Sequence, residues 1–355
     1  KTAYEIKECD WSSDVCSSDL DVADALTAAT RSVAYGSGND SIVVSQGSAI
    51  RMVSSLVTVD IAAPTSALTV SLGSGNDVLT VDSFPTSSSF ALSFMGEAGQ
   101  DVLSLNGLQL GAIVDGGLDD DILNGGQGND TLSGADGNDL LDGRVGNDVL
   151  RGGAGRDTLT GGTGTNSLNG GGASTDLIRE LVSGVSTVTS TRVTSSLGSD
   201  DFVAIESLEI NGAATNDTID LTGWTLASDP TVYGGAGDDT INGSSLRDFM
   251  DGQAGNDNLI GNDGNDALFG GDGNDRLSGN AGNDVLIGAQ GDDTLFTFTP
   301  DIGVHLDSII VDGAYAGDSL HYRFRSVESN HVLRAAFADR KSTRLNSSHI
   351  PLSRM

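Results

Sequence analysis

Residues 234–296 read GGAGDDTIN (234–242), GSSLRDFMD (243–251), GQAGNDNLI (252–260), GNDGNDALF (261–269), GGDGNDRLS (270–278), GNAGNDVLI (279–287) and GAQGDDTLF (288–296). Each nonapeptide follows G-G-x-G-x-D-x-U-x, where U is apolar. Residues 116–169 repeat the same pattern six times, as GGLDDDILN, GGQGNDTLS, GADGNDLLD, GRVGNDVLR, GGAGRDTLT and GGTGTNSLN. Neither block contains an insertion. A fixed period this short marks a β-solenoid, in which a unit buries its apolar residue only by stacking on its neighbours.

The unit divides into a turn and a strand. Six residues turn the chain, and glycines at positions one, two and four permit positive φ and close approach of successive coils. The last three residues form a strand. Alternation across it sends position eight inward and positions seven and nine outward. Position eight is Leu123, Leu132, Leu141, Leu150, Leu159 and Leu168 in the first block. In the second it is Ile241, Met250, Leu259, Leu268, Leu277, Leu286 and Leu295. Position seven mixes apolar with polar and charged residues, from Ile122 and Thr131 to Asn258 and Arg276. The contrast predicts a thin, one-sided core of aliphatic side chains.

The chain has 355 residues and a formal net charge of -32, carried by 43 Asp against 7 Glu. Such a bias calls for a short carboxylate held close to a tight turn. The charge argues against nucleic acid, whose binding needs cationic neutralisation of phosphate, and favours cations as partners. Charged residues are only 19% and aromatics 5%, so neither generic disorder nor a large aromatic core fits. No apolar run is long enough for a membrane-spanning helix, and no signal peptide is legible.

Position six is Asp121, Asp130, Asp139, Asp148 and Asp157, then Asp239, Asp248, Asp257, Asp266, Asp275, Asp284 and Asp293. Carboxylates stacked one coil apart repel unless a cation lies between them. A hard ion taking six to eight oxygens at ~2.3–2.6 Å suits carboxylates and turn carbonyls. Softer metals want His or Cys, and His305, His321 and His331 all lie outside the repeats. The turn carbonyls in question surround the position-four glycines: Gly128, Gly137, Gly146, Gly155, Gly237, Gly255, Gly264, Gly273, Gly282 and Gly291.

These thirteen units resemble the RTX (repeats-in-toxin), haemolysin-type calcium-binding proteins. The resemblance implies a right-handed parallel β-roll with two units per coil and calcium between the turns of units n and n+2. That pairs Asp121 with Asp139, Asp139 with Asp157, and Asp130 with Asp148. In the second block it pairs Asp239 with Asp257, Asp257 with Asp275, Asp275 with Asp293, and Asp266 with Asp284. The implied total is roughly seven to nine ions. Asn166 in place of Asp weakens its site. Leu246 at position four and Arg247 beside Asp248 mark another poor site, and Asp119 replaces the position-four glycine of the first unit. The family also implies secretion to the outside or surface of a bacterial cell, with a secretion apparatus or a cell-surface partner.

Outside the blocks the pattern loosens. Residues 31–115 read as an irregular β-solenoid lead-in, with weaker turns at Asp40, Asp77 and Asp101, 37 and 24 residues apart. These, and Asp217, are expected to be structural turns rather than full sites. Strands are expected at 56–61, 67–72, 185–193 and 202–210. Residues 172–233 are further coils or a β insertion between blocks 116–171 and 234–296, and 176–182 is the best short helix candidate. Residues 297–339 form a β-rich cap, with strands at 307–313 and 320–327 and packing by His321, Tyr322 and Phe324. Residues 1–20 and 340–355 hold Cys9, Cys16 and every lysine. They resemble translated sequencing-adapter read-through and are read as tails foreign to the fold, the chain itself as a fragment.

No H-E-x-x-H or G-x-S-x-G motif occurs, and the repeats lack both the third glycine of a dinucleotide fingerprint and the twelfth-position Glu of an EF-hand. Glu206 and Glu209, read as sharing a strand face, could pair for glycoside chemistry; a solvated face is the plainer reading. The expected function is an extracellular calcium-binding module that folds or stiffens on the ion and has no catalysis of its own. The alternative is the calcium-binding part of a larger secreted protease, lipase or haemolysin, or an adhesin or surface-layer segment.

Overall fold

A computed structural model describes residues 67–83 and 91–299, except 173, 174, 227, 283, 292 and 294. It also describes the backbone of strands Thr30–Ala34, Ser41–Gln46, Ile50–Val53, Thr58–Ile61, Val304–Val311, Ala314–Gly317, His321–Tyr322 and Leu333–Asp339. Asp40, Phe324, His331, both cysteines and the terminal segments 1–20 and 340–355 lie outside the described residues. Every element among the described residues is a strand. The chain divides into two units, Lys1–Ile178 with Gly198–Ile205, and Arg179–Leu197 with Glu206–Met355.

In the first unit two parallel sheets alternate along the chain. One runs through Ala67–Ser74, Ala91–Ala98, Ala112–Leu118, Thr131–Asp136, Val149–Ala154, Gly164–Gly171 and Gly198–Val203. The other contains the short strands Val102–Ser104, Ile122–Asn124, Leu140–Asp142 and Thr158–Thr160. Each strand pairs with the one two repeats away: Leu132 lies opposite Leu150, and Leu123 opposite Leu141. Two nonapeptides therefore close one coil of a parallel β-roll. The second unit is built alike, with Ile241 opposite Leu259 and Met250 opposite Leu268.

Inward residues form continuous columns. Leu79, Leu103, Leu123, Leu141, Leu159 and Ile178 stack in register, all fully buried. So do Val232, Met250, Leu268 and Leu286 in the second unit. The lead-in uses longer coils, with Ser41 opposite Val78 and Ala67 opposite Ala91, before Asp101 and Asp121 close one of 20 residues. The segment 172–233 adds strands to the stack within each unit: Gly198–Val203 pairs with Gly164–Gly171, and Thr218–Gly223 pairs with Thr240–Asn242.

Several expectations change. Residues 176–182 are not helical, since Leu177–Val182 is a strand. Leu177 and Ile178 continue the ladder of Thr158 and Leu159, so pairing overrides local propensity. At the end of the second block the pairing shifts by one residue, with Leu295 opposite Arg276 and Phe296 opposite Leu277. Residues 185–193 form two strands, Val185–Thr189 and Arg192–Ser195, that pair antiparallel. Glu206 precedes strand Ser207–Gly212, while Glu209 lies on it and is held by Arg179 at 2.8 Å, so the two do not share a strand face.

Candidate metal-binding turns

The position-six aspartates form buried columns, one coil apart. Asp121, Asp130, Asp139, Asp148 and Asp157 are at most 2% exposed, as are Asp239, Asp248, Asp257, Asp266, Asp275 and Asp293; Asp284 is 3% exposed. Beyond Asp130 and Asp248, which begin their columns, each Oδ1 accepts the backbone N–H of the aspartate one coil earlier. Asp121 N donates to Asp139, Asp139 N to Asp157 and Asp130 N to Asp148, at 2.7–2.9 Å. In the second unit Asp239 N donates to Asp257, Asp257 N to Asp275, Asp275 N to Asp293 and Asp266 N to Asp284, at 2.7–3.0 Å. The pairs expected from the sequence are thus neighbours in one column.

The second oxygen behaves differently. Oδ2 of Asp101, Asp121, Asp139, Asp148, Asp157, Asp239, Asp257, Asp266 and Asp275 is buried and accepts no hydrogen bond. It lies against the position-one glycine of its own unit and near the position-one carbonyl of the next coil. A Cβ on Gly234 would come within 2.7 Å of both Asp239 Oδ2 and Gly252 O; on Gly143 it would meet Gly161 O at 2.6 Å and Asp148 Oδ2 at 2.7 Å. Position one therefore needs glycine for space, not for backbone freedom, because none of these glycines is at positive φ. Positive φ belongs to positions two and four. Position two tolerates Ala135, Arg144, Gln253 and Asn262 there, at φ 71–79°. Asp119 takes the position-four role at φ 76°.

The position-four glycines serve coil-to-coil approach. A Cβ on Gly155, Gly164, Gly255, Gly273, Gly282 or Gly291 would collide with the carbonyl of the glycine one coil earlier. The carbonyls of Gly128, Gly137, Gly146, Gly237, Gly255, Gly264 and Gly273 accordingly face the next turn. The position-one carbonyls of Gly161, Gly170, Gly270 and Gly288 stand beside Oδ2, a role that the spacing of the glycines alone does not reveal.

Three turns are closed on themselves. Asp130 Oδ2 accepts the N–H of Gly126 at 2.8 Å, Asp248 Oδ2 that of Ser244 at 2.7 Å, and Asp217 Oδ2 that of Ala213 at 2.7 Å. Ser244 Oγ also donates to Asp248 Oδ1 at 2.7 Å. Each is the first such aspartate on its face within its own unit, among the described residues. The coil before it lacks a G-G-x-G turn on which to stack, so position two is released from positive φ and aims its N–H at the carboxylate. Asn166 keeps the Oδ1 link to Asp148 N at 2.8 Å and turns its Nδ2 to Asp200 at 2.7 Å.

Position five carries a further ladder. Asn138 N donates to Asp120 Oδ1, Asn147 N to Asn129 Oδ1, Asn256 N to Asp238 Oδ1 and Asn274 N to Asn256 Oδ1, at 2.7–2.9 Å. This explains the recurrent Asn-Asp pair. The recurrence of Asn at position five is the sequence signal of this ladder.

Burial pushes these carboxyls up from an ordinary 3.8: Asp139 and Asp157 to about 6, Asp121, Asp148, Asp239 and Asp275 to about 7, and Asp266 to about 8. Backbone N–H donors oppose the rise. Like-charged neighbours add to it, Asp139 and Asp101 acting on Asp121, and Asp248 and Asp284 on Asp266. Buried carboxylates with an unused oxygen, rising toward neutrality, fit a hard cation as the missing partner. Among the described residues no three His, Cys, Asp or Glu converge as a metal group; the donors here are stacked carboxylates and main-chain carbonyls.

The family model described as the RTX calcium-binding nonapeptide repeat (4 copies) matches residues 115–150, 142–174, 231–250, 243–277 and 260–295. Both blocks are therefore RTX repeats, and the fold they build is a calcium-binding β-roll. Comparison with curated proteins gives no match. No helix among the described residues is long and apolar enough to cross a membrane.

Proposed function

We propose that the chain is an extracellular bacterial module that folds or stiffens on calcium, serves a structural or secretion-linked role, and has no catalysis of its own. The observation carrying this reading is the row of buried Oδ2 atoms with no hydrogen-bond partner. An ionised carboxylate in that state is costly to bury, so the roll is incomplete without a cation.

The residues that would hold calcium are Asp121, Asp139, Asp148 and Asp157 in the first block, and Asp239, Asp257, Asp266, Asp275, Asp284 and Asp293 in the second, with carbonyls of adjoining turns. Asp130 and Asp248, each closed by its own main chain, are weaker candidates, as is Asn166. When bound, calcium supplies positive charge and oxygen coordination. The chain aligns these carboxylates through Oδ1, and at Asp121, Asp139, Asp148, Asp157, Asp239, Asp257, Asp266 and Asp275 it leaves Oδ2 without a hydrogen bond, beside glycines that keep the space free of side chains. Millimolar calcium outside a cell matches the ~10⁻⁴–10⁻³ M range typical of extracellular modules, and ion binding then contributes directly to folding.

Circular dichroism of the metal-stripped chain tests this. Calcium should raise the β signal, chelator should remove it, and magnesium should have little effect, because it demands a tighter octahedral shell. Full β structure in chelator would overturn the coupling of folding to calcium.

A further inference from the structure

The turn at Gly96–Asp101 lies before the matched repeats, in a coil of 20 residues. Its sequence, GEAGQD, has Glu at position two and Gln at position five. From sequence it reads as a structural turn. Its geometry is that of the in-block turns. Glu97 takes position two at φ 79°, and Gly99 takes position four at φ 122°. Gln100 N donates to Asn76 Oδ1 at 3.1 Å, continuing the position-five ladder. Asp101 is 1% exposed; its Oδ1 accepts Asp77 N at 2.8 Å, and its own N–H donates to Asp121 Oδ1 at 2.8 Å. The two residues added to the coil leave this side alone, since Val102 still stands opposite Ile122.

The protein contains its own comparison for an aspartate held by hydrogen bonds only. In Asp130, Asp217 and Asp248 the second oxygen accepts the turn's own N–H. Asp101 is of the other kind. Its Oδ2 is buried and accepts no hydrogen bond. A Cβ on Gly96 would collide with that oxygen and with Gly116 O, the same two atoms that surround Gly152 and Gly252 inside the blocks.

We propose that the turns Gly96–Asp101 and Gly116–Asp121 form a further divalent-cation site of the calcium class, with Asp101 Oδ2 and the Gly116 carbonyl among its donors. It rests on the calcium reading of the repeats. It extends ion binding into the lead-in, so that the roll is held by cations before its regular repeats begin.

Calcium stoichiometry of the full chain, measured by equilibrium dialysis, tests the site. Asp101→Asn keeps the Oδ1 acceptor, as Asn166 shows, and removes the anionic Oδ2. It should lower bound calcium by about one ion per chain, as Asp139→Asn should within the block. A drop in Asp139→Asn with none in Asp101→Asn overturns this site and leaves the repeat reading intact. No calcium bound by the unmutated chain overturns the reading itself. Should Asp101→Asn fail to fold, hydrogen exchange of the unmutated chain decides. Calcium-dependent protection of 96–104 in parallel with 134–142 supports the site, and protection confined to 134–142 overturns it.

Discussion

At Asp275, burial and the neighbouring charges of Asp293 and Asp257 push the carboxyl up to about 7, against the lowering effect of the Asp257 N–H. Asp239, Asp148 and Asp121 share that fate. Because the folded values lie above an unfolded 3.8, these groups stabilise the ion-free fold fully below about pH 4. That contribution is lost as pH rises through about 6 to 8. The metal-stripped chain should therefore hold more β structure at about pH 5 than at about pH 8, and saturating calcium should flatten or reverse the order. Circular dichroism at both pH values, with and without calcium, checks this; a stripped chain with more β structure at the higher pH would refute it. Gly270 gives a second prediction. Its backbone φ permits alanine, and Gly→Ala alone would favour folding by ~0.4–1 kcal/mol. The added Cβ would collide with Asp275 Oδ2 and sit 2.7 Å from Gly288 O. Gly270→Ala should thus destabilise by about 1–3 kcal/mol and weaken calcium binding, as read by calorimetric titration; a stabilised variant would show that the space is not needed.

At the scale of the element, each turn is tied to the next coil by two side-chain ladders running in opposite senses. Asp at position six accepts from the previous coil, and Asn at position five accepts from the following one. Asn256 joins both neighbours, accepting Asn274 N at 2.9 Å and donating its own N–H to Asp238 at 2.8 Å. Because this ladder is exposed, Asn256→Ala should cost about 0.5–1.5 kcal/mol in thermal unfolding while leaving the calcium count unchanged. A changed count would mean that position five takes part in ion binding. The repeat, its register and its inward leucines were legible in the chain because six copies and then seven each hold one phase within their block. Asp176 was not. It sits 19 residues after Asp157, and its Oδ1 accepts Asp157 N at 2.9 Å. The extra residue hides the turn from a nine-residue frame, while the strand that follows regains the ladder. Asp101 and Asp121 close a coil of 20 residues, so the turn at Asp101, legible as a weaker copy, also stands off the nine-residue frame.

For the whole chain, a formal charge of -32 with only 18 Lys and Arg cannot be balanced internally. The surplus is concentrated in buried columns, where screening by salt is weak. Calcium should therefore contract the chain as well as raise its β content. Small-angle scattering should give a smaller radius of gyration in calcium than in chelator, and monovalent salt should reproduce only a minor part of the change. An unchanged radius would mean that the roll closes without the ion.

The period of nine and the apolar eighth position were sufficient to establish a stacked β-solenoid, and the excess of Asp over Glu to point to a hard cation, because each is a property of spacing and chemistry repeated along the chain; the resemblance to RTX repeats named the ion. Which aspartates keep an open oxygen was decided only in three dimensions. Asp130 carries an unbroken motif yet is closed by Gly126, and Asp101 carries a degenerate one yet is open. The difference lies in whether the preceding coil offers a matching turn to stack on, and that contact joins residues about 18–24 positions apart, beyond the reach of any single motif.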